Sequence, residues 1–519
     1  MVKSVTPQVP PSQSLTGRAA LLMCGKTLAF GFTFVLPLLL VRWLSQTQFG
    51  LYKQVFLFVN TSYALLPVGM GMSAFYFLPR EPERRHQIVF NIVLFYIFVS
   101  SVLCLVLFAW PSLLSTLLNA PELTKLGPLV GVVIVAWVCS SSLELIAIAN
   151  QEVRVATVFV IAAQFTKAVF LLAAAAVFTS VESLLYAALA QGILQSIIFF
   201  FYLRSRFGEF WRGFEWQVMR NQLAYALPFG VASVIFRALG ELDNYFVSHK
   251  FGSAVYAIYA VGCFELPLLA LLSESISSVT IPRVSQLQNE GDLAGIVDLI
   301  FTMVRKLSAL VLPVYIFLIV MGRDLLTILF TVQYAVAWRI FAINLTLVPL
   351  MIITCAYDPV MRAHADQRYF LLRLRCYLVV LFVTVLGFAV GRFGLTGAVT
   401  TMVSVNVIDR LVIALRVKKI LGLSSSDLPR LKGFGKVVLA SILAGSVTFL
   451  AHAILYSIKP LPAFVLCGFI FLMVYLASVL LLGVFTQDER AAALGQLVRL
   501  KSMFSTRRVD KTRLQNSEV

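Results

Sequence analysis

Apolar runs of about 20 residues recur from one end of the chain to the other, and they constrain its fold more than any other feature. A helix of that length crosses roughly 30 Å of hydrocarbon. Because 60% of the residues are hydrophobic and only 13% are charged, against about 25% in soluble proteins, the composition is that of an integral membrane protein. The sequence therefore predicts an all-α polytopic membrane protein with about 14 transmembrane helices.

The basic charge of the chain, a formal +18 at pH 7, is distributed unevenly between its polar segments. With a cytoplasmic N-terminus, 30 of the 42 Lys and Arg residues fall in cytoplasmic segments, seven (Lys53 among them) in outer loops and five within spans. This asymmetry follows the positive-inside rule of membrane proteins. We therefore expect both termini in the cytoplasm, and the charge requires no nucleic-acid partner.

A faint internal repeat divides the spans into two halves. The segment QFGLY (48–52) corresponds to KFGSAVYAIY (250–259), and FLPRE (77–81) corresponds to TIPRV (280–284), at offsets of 202 and 203 residues. An even number of spans in each half gives repeats of the same orientation, with a pseudo-two-fold axis along the membrane normal. We therefore predict two six-helix lobes around a central cavity, followed by two C-terminal helices.

The predicted organisation follows from these spans and their connections. The outer loops are short, so we expect no extracytoplasmic domain. The segments are a cytoplasmic N-terminal tail (1–17), an N-lobe of six spans (18–203), a cytoplasmic linker (204–221), a C-lobe of six spans (222–416), a cytoplasmic loop (417–435), two further spans (436–485) and a basic cytoplasmic tail (486–519).

Sequence motifs for catalysis and for metal binding are absent. The chain contains no GxxxxGK[ST] phosphate loop, no GxSxG and no HExxH. The seven cysteines stand singly in apolar spans without a CxxC pair, and the four histidines are isolated, which favours packing roles over disulfides or a metal site. We expect no enzyme activity, no cofactor and no metal.

Ionisable residues inside the spans are the candidates for function, because a charge in the bilayer centre costs about 2.5–3.5 kcal/mol on insertion. Lys26, Lys167 and Arg237 should lie roughly 10–20 Å deep, where a lipid-facing cation is untenable. If all three face one hydrated cavity, they suit a polyanionic headgroup such as a pyrophosphate, through charge-assisted hydrogen bonds. Lys26 and Lys167 could instead pair with Glu144 or Asp409 across helices, and this alternative stays open.

Three carboxylates in or near the spans are candidates for ion coupling or ion pairing, namely Glu241, Asp243 and Asp409. Arg237 and Glu241 are four residues apart on one helical face, so they can simply neutralise each other. Asp243 lies on another face of the same span. A proton or sodium site would use Glu241 and Asp243.

Four segments resemble a known family: LDNYFVSHKFGSAVYAIYAVG (242–262), VTIPRVSQLQNEGD (279–292), LFTVQYAVAW (329–338) and FGLTGAV (393–399). The first is similar to the Asp, Gly, Tyr pattern in the hairpin of the seventh and eighth spans of bacterial polysaccharide flippases, and the second to the Pro and Gly-Asp connection after that hairpin. The third is similar to the Phe-x3-Tyr-Ala-x-Ala start of their tenth span, and the fourth to the Gly-x-x-Gly-Ala start of their twelfth. The chain thus resembles the polysaccharide transporters of the multidrug/oligosaccharidyl-lipid/polysaccharide exporter superfamily, which include the O-antigen flippases.

The resemblance implies a flippase that moves undecaprenyl-pyrophosphate-linked oligosaccharide from the cytoplasmic to the periplasmic leaflet of a bacterial inner membrane. The glycan would serve O-antigen, capsule or exopolysaccharide assembly, with membrane lipids, a polymerase and glycosyltransferases as candidate partners. The family motifs match Asp243, Gly252 and Tyr256, whereas the deep cations follow from depth and charge alone. At Phe330 and Thr331 the sequence departs from the commoner Phe-Gly, which affects local geometry and not the assignment.

Two other functions stay open. A cation-coupled drug antiporter of the same fold would carry its coupling ion on Glu241 and Asp243, but such exporters usually have 12 spans and a more acidic cavity. A membrane polysaccharide polymerase or glycosyltransferase could use the acidic pair in ELD (241–243), but these enzymes usually need a large outer loop.

Overall fold

The chain is helical throughout the part that the structure, a computed structural model, describes: residues 15–211, 214–364, 367–424, 427, 429, 432–455 and 457–483. Short turns and 3-10 segments join the α-helices, and these residues contain no β-strand. The predicted all-α class is therefore confirmed. The predicted tail 486–519, and all but the last three residues of the predicted tail 1–17, lie outside the described residues.

Seventeen α-helices follow one another along the described residues. They are α1 (Leu15–Trp43), α2 (Gln46–Leu65), α3 (Ser73–Arg80), α4 (Arg85–Ala109), α5 (Ser112–Leu118), α6 (Gly127–Ala149), α7 (Val153–Phe178), α8 (Val181–Phe207), α9 (Trp216–Phe251), α10 (Ser253–Gly262), α11 (Pro267–Asn289), α12 (Leu293–Phe330), α13 (Trp338–Asn344), α14 (Leu347–Ala363), α15 (Arg368–Ile420), α16 (Lys432–Ile454) and α17 (Pro460–Leu481).

Membrane spanning follows from the length and composition of these helices. Ten helices of the described residues are long and apolar enough to cross a bilayer, or up to 12 if each bent pair is one span. Helix α15 covers 53 residues, but it consists of two helices joined at a kink at Gly394 (φ 60°, ψ −138°). The chain is a multi-pass membrane protein, and the count of 14 spans stays a prediction.

The chain forms two compact units that interleave along the sequence. One unit comprises the described residues up to Leu271 together with Leu329–Asn344 and Arg373–Val405. In it α1 packs along α7, α4 along α6, and α2 against α10. The other comprises Leu272–Ile328, Leu345–Leu372 and the described residues from Asn406 onward, where α16 packs on α17. The two-lobe organisation inferred from the repeat stays a prediction.

Two bent helices of the first unit touch where they bend. The span formed by α2 and the segment Met70–Arg80 bends by 41°. Helix α9 bends by 45° after Pro228, because proline has no backbone N–H to donate to the helical hydrogen-bond ladder. Gly230 of α9 lies against the carbonyl of Val68, so closely that a Cβ at position 230 would overlap it. Gly69 beside it has φ +73°, a conformation that glycine adopts without strain.

A second close backbone contact joins α2 to the start of α10. Gly50 lies against the carbonyl of Ser253, and a Cβ at position 50 would overlap that carbonyl. Because α2 and α10 pack along each other, this contact sets how closely the two helices approach. Side chains on both helices line the cavity described below.

A buried polar cluster holds α9 against α4 and α3. The Gln222 side chain is fully buried; its Oε1 accepts from Asn91 Nδ2 at 3.0 Å, and its Nε2 donates to Ser73 Oγ at 3.1 Å and to the Ile88 carbonyl at 3.2 Å. Buried polar groups are costly unless they are hydrogen-bonded. The cluster therefore fixes the first turns of α9 against the preceding helices.

Candidate functional site

A cavity of about 980 Å³ lies within the first unit. Its wall is built by side chains of α1, α2, α6, α7, α8, α9 and α10, and by the segment 263–265, where α10 has ended and α11 has not begun. The volume is in the range of cavities that hold small ligands. Basic, acidic, amide and aromatic side chains all line it.

Lys53 and Lys167 share one aromatic cluster in the cavity wall. Lys167 Nζ lies 4.1 Å from the ring centre of Trp137 and 5.9 Å from that of Phe56. Lys53 Nζ lies 5.6 Å from the ring centre of Phe49, which is one turn before Lys53 and two turns before Phe56 on α2. Aromatic faces attract cations through the ring quadrupole, so the rings hold both ammonium groups at the wall.

Within the described part of the chain, neither lysine has an acidic partner at ion-pair distance. The ion pairs within the described residues involve other basic groups, and none includes Lys53 or Lys167. A cation beside neutral rings, with no carboxylate of the described residues at ion-pair distance, is not neutralised by an ion pair. The two lysines therefore form an anion-attracting surface on one wall of the cavity.

Arg237 and Glu241 of α9 both line the cavity, and they do not form an ion pair. No Arg237 nitrogen lies within 4.0 Å of a carboxylate oxygen of the described residues, although its charge acts on Glu241 through space. Glu241 Oε2 instead accepts from Asn244 Nδ2 at 3.2 Å, and Asn244 Oδ1 accepts from the Tyr256 hydroxyl at 3.2 Å. The Arg237 side chain is thus free of close ionic contact.

Lys26 is not among the residues that line the cavity. Its Nζ contacts Glu144 Oε1 at 3.0 Å, and the side chains are 49% and 27% exposed. Glu144 itself lines the cavity. The pairing with Glu144 that the sequence left open therefore forms for Lys26, which neutralises one carboxylate of the cavity wall. Within the described residues it does not form for Lys167.

The other two candidate carboxylates are not among the residues that line the cavity. Asp243 is only 3% exposed, and its Oδ2 accepts from the Tyr259 hydroxyl at 2.8 Å. Asp409 belongs to the second unit, where Arg410 lies 3.5 Å from its Oδ2. The structure therefore brings Lys167, Arg237 and Glu241 together in one cavity wall, and it does not bring Lys26, Asp243 or Asp409 into that wall.

The sequence analysis missed Lys53, and its assignment to an outer loop is wrong. Helix α2 begins at Gln46, so Lys53 lies two turns inside it. The missed signal is Ser45 followed three residues later by Gln48, a pattern that marks a helix start. Ser45 Oγ accepts a hydrogen bond from the backbone N–H of Gln48 at 3.3 Å. A hydropathy window passes over this start because Gln and Lys depress its average.

The acidic lining residues limit what the cavity can attract. Glu144, Glu241 and Glu265 balance Lys53, Lys167 and Arg237 in number, but Lys26 neutralises Glu144. The positive potential is therefore concentrated at the two lysines. The described residues include no group of three or more His, Cys, Asp or Glu side chains suited to a metal ion.

Comparison with known sequences gives one family match. Residues 39–339, more than half of the chain, match the family described as "Polysaccharide biosynthesis protein". No curated protein matches the chain in sequence. The matched region includes every residue that lines the cavity except Thr33.

Comparison with solved structures identifies the fold. A structure of the lipid II flippase MurJ in an inward closed conformation has 14% identity and a TM-score of 0.68, with 89% of this chain and 97% of that chain covered. An outward-facing multidrug resistance MATE family transporter has 15% identity and a TM-score of 0.55, with 78% and 96% covered. A MOP superfamily transporter from Pyrococcus furiosus has 14% identity and a TM-score of 0.52, with 78% of this chain and 96% of that chain covered. The resemblance to this superfamily is confirmed, and the identities show a shared fold alone.

Proposed function

The chain belongs to the polysaccharide biosynthesis protein family, and from this premise we propose that it is a flippase for lipid-linked oligosaccharide. The substrate proposed is undecaprenyl-pyrophosphate-linked oligosaccharide, moved from the cytoplasmic to the periplasmic leaflet of a bacterial inner membrane. Both termini would then lie in the cytoplasm. Glycosyltransferases that build the glycan and a polymerase that extends it are the proposed partners.

The observation that carries this proposal is the pair Lys53 and Lys167 in the cavity wall. Two ammonium groups held on aromatic rings, without acidic partners, suit the closely spaced phosphates of a pyrophosphate. Arg237 is proposed as a third contact, because it lines the same cavity and has no ion-pair partner. Lys26 is proposed to act indirectly, by neutralising Glu144.

Transport in this proposal moves the charged headgroup through the cavity while the polyprenyl tail stays in the bilayer. Alternate opening of the cavity toward each leaflet would follow from rigid-body motion of helix bundles, as in transporters built from repeats. The chain's own part is to bind and release the headgroup, and it forms no covalent bond with it. Glu241, Asp243 and Asp409 are kept as candidate coupling carboxylates.

A second candidate is a cation-coupled drug antiporter of the same fold. It is favoured by Glu241 and Glu265 in the cavity wall, since carboxylates can carry a proton or a sodium ion, and by the fold shared with a multidrug transporter. The uncompensated lysine pair argues against an organic cation as the solute, because like charges repel in a confined cavity. Export of a cationic dye by the purified chain would favour this second candidate.

The proposal is tested by deleting the gene in a strain without redundant flippases. We expect mass spectrometry to show accumulated lipid-linked oligosaccharide and a leaflet-specific sugar probe to place it on the cytoplasmic side. Wild-type chain should restore surface glycan, and the double variant Lys53→Met, Lys167→Met should not. Lys459→Met, an exposed lysine in the second unit, is the matched control and should restore it fully. Unchanged lipid-linked sugar and unchanged surface glycan in the deletion strain would contradict the proposal.

A further inference from the structure

The described residues that follow α8, 208–211, fold back onto an exposed face of α8. The Trp211 ring stacks on the Phe200 ring, with centres 6.2 Å apart and planes at 13°. Phe210 packs edge-on against both rings, at 6.1 Å and 5.3 Å. Since α8 continues to Phe207, the connection returns along about two helical turns before α9 begins.

The position of Phe200 along α8 gives the depth of this contact. Helix α8 runs over Val181–Phe207, so its midpoint is residue 194 and Phe200 lies about 9 Å beyond it. Half of the hydrocarbon core is about 15 Å thick. If the helix is centred in the bilayer, Phe200 and the Trp211 ring stacked on it lie about 6 Å inside the edge of the hydrocarbon, and Arg204, about 15 Å from the midpoint, lies at that edge. Tryptophan is enriched near that edge in membrane proteins.

The aromatic side chains of this region are exposed on the protein surface. Phe200 is 46% exposed and Trp211 is 37% exposed, and Phe214 and Trp216 later in the sequence are also exposed. Exposed rings at this depth contact lipid and not water. The connection is therefore seated in the membrane interface, where headgroups begin.

Arg204 lies over this aromatic surface. Its guanidinium carbon is 5.5 Å from the ring centre of Trp211, and no carboxylate of the described residues lies at ion-pair distance from it. Arg206, two residues on, is different, because its Nε contacts Glu152 at 2.8 Å. The acidic Glu215 of the connection is likewise approached by Arg84, at 4.0 Å. Arg204 is thus an exposed guanidinium, held on a ring, at headgroup depth.

We propose that Arg204 and Trp211 form a binding site for the phosphate of an acidic phospholipid. A guanidinium donates two parallel hydrogen bonds to phosphate oxygens, and the ring beneath it fixes its plane. The acyl chains of the bound lipid would lie along Phe200 and Phe201, which face the hydrocarbon. One exposed arginine near an anionic surface gives a preference of about fivefold for an acidic over a zwitterionic lipid. This lipid site would be present whichever solute the cavity carries.

The test uses the fluorescence of Trp211 and brominated lipids, which quench tryptophan on contact. The full-length chain is placed in bilayers of dibrominated phosphatidylcholine that contain an increasing fraction of phosphatidylglycerol. One series uses dibrominated phosphatidylglycerol and the other uses unbrominated phosphatidylglycerol. Subtracting the emission of Trp211→Phe from that of the parent isolates Trp211 from the five other tryptophans of the chain. We expect phosphatidylglycerol to associate about five times more strongly than phosphatidylcholine at this site.

Three variants distinguish the site from an effect of general charge. Arg204→Gln should lower the preference to within about twofold of unity, and Arg204→Lys should retain part of it. Arg206→Gln removes the same formal charge from a residue engaged by Glu152, so it should keep the preference. The proposal is overturned if neither lipid quenches Trp211, if both associate equally in the wild type, if Arg204→Gln keeps the preference, or if Arg206→Gln loses it equally.

Discussion

Replacing Lys167 by Met tests whether the aromatic-bound lysine of the cavity holds the anionic headgroup. Lys167 Nζ contacts the Trp137 ring at 4.1 Å and has no acidic partner at ion-pair distance within the described chain. A hydrogen bond to a charged group contributes about 1.5–3 kcal/mol. Its loss corresponds to substrate binding that is weaker by about 10- to 150-fold.

The variant should still fold, so a change in transport reports binding. Loss of the cation–π contact costs about 0.5–2 kcal/mol. Removal of a partly buried ammonium group offsets that cost, because its desolvation penalty disappears. Methionine has an unbranched side chain that fills irregular space. We therefore expect a melting temperature in detergent close to that of the wild type.

The assay measures transport of a fluorescent lipid-linked oligosaccharide in proteoliposomes. A membrane-impermeant reducing agent bleaches the label in the outer leaflet, and the rate of label exchange is recorded against substrate density. We expect Lys167→Met to raise the half-saturating density and Lys250→Met to leave it unchanged. Lys250 is exposed in the last turn of α9 and does not line the cavity.

A half-saturating density of Lys167→Met within twofold of the wild-type value would refute the reasoning. So would an equal rise in Lys250→Met, because the effect would then come from net charge. A lower maximal rate with unchanged half-saturation would assign Lys167 to the movement of the helices and not to the headgroup.

Three further predictions follow from other contacts. Lys26→Met should raise the half-saturating substrate density several-fold because it leaves Glu144 unneutralised, and adding Glu144→Gln should return the density to the wild-type value. A double variant with the same raised density as the single variant would mean that Lys26 acts directly. Gln222→Leu should lower the free energy of unfolding by about 2–4 kcal/mol, seen as a lower melting temperature, because its buried partners lose their hydrogen bonds. Gly394→Ala should cost about 1–3 kcal/mol through backbone strain, whereas Gly391→Ala, with open space around it, should be neutral or stabilising by the same measurement.

Hydropathy predicted the class and most of the spans because lipid imposes length and apolarity on every crossing helix. Depth in the spans also singled out Lys167 and Arg237, which the structure places in one cavity wall. Asp243, selected by the same reasoning, is instead buried against the Tyr259 hydroxyl. The position of these residues within a helix was therefore readable from the sequence, whereas the direction of a side chain around the helix was not.

Two features depend on packing and could not be read from hydropathy. The contact of Lys26 with Glu144 requires the rotation of two helices about their axes. The end of α10 at Gly262, where a continuous span was expected, exposes the segment 263–265 to the cavity. A window average does not register such a break, because the residues on both sides are equally apolar.

The glycine contacts on α2 and α9 bear on how variation among relatives of this chain should be interpreted. Gly50 and Gly230 each lie against a backbone carbonyl, so no rotamer of any replacement side chain would relieve the overlap. Both positions should therefore tolerate substitution as poorly as a ligand-binding residue does. Invariance at these two sites in an alignment would reflect helix proximity alone. Selection on the proposed glycan substrate should instead appear at cavity-lining positions whose side chains have room to change.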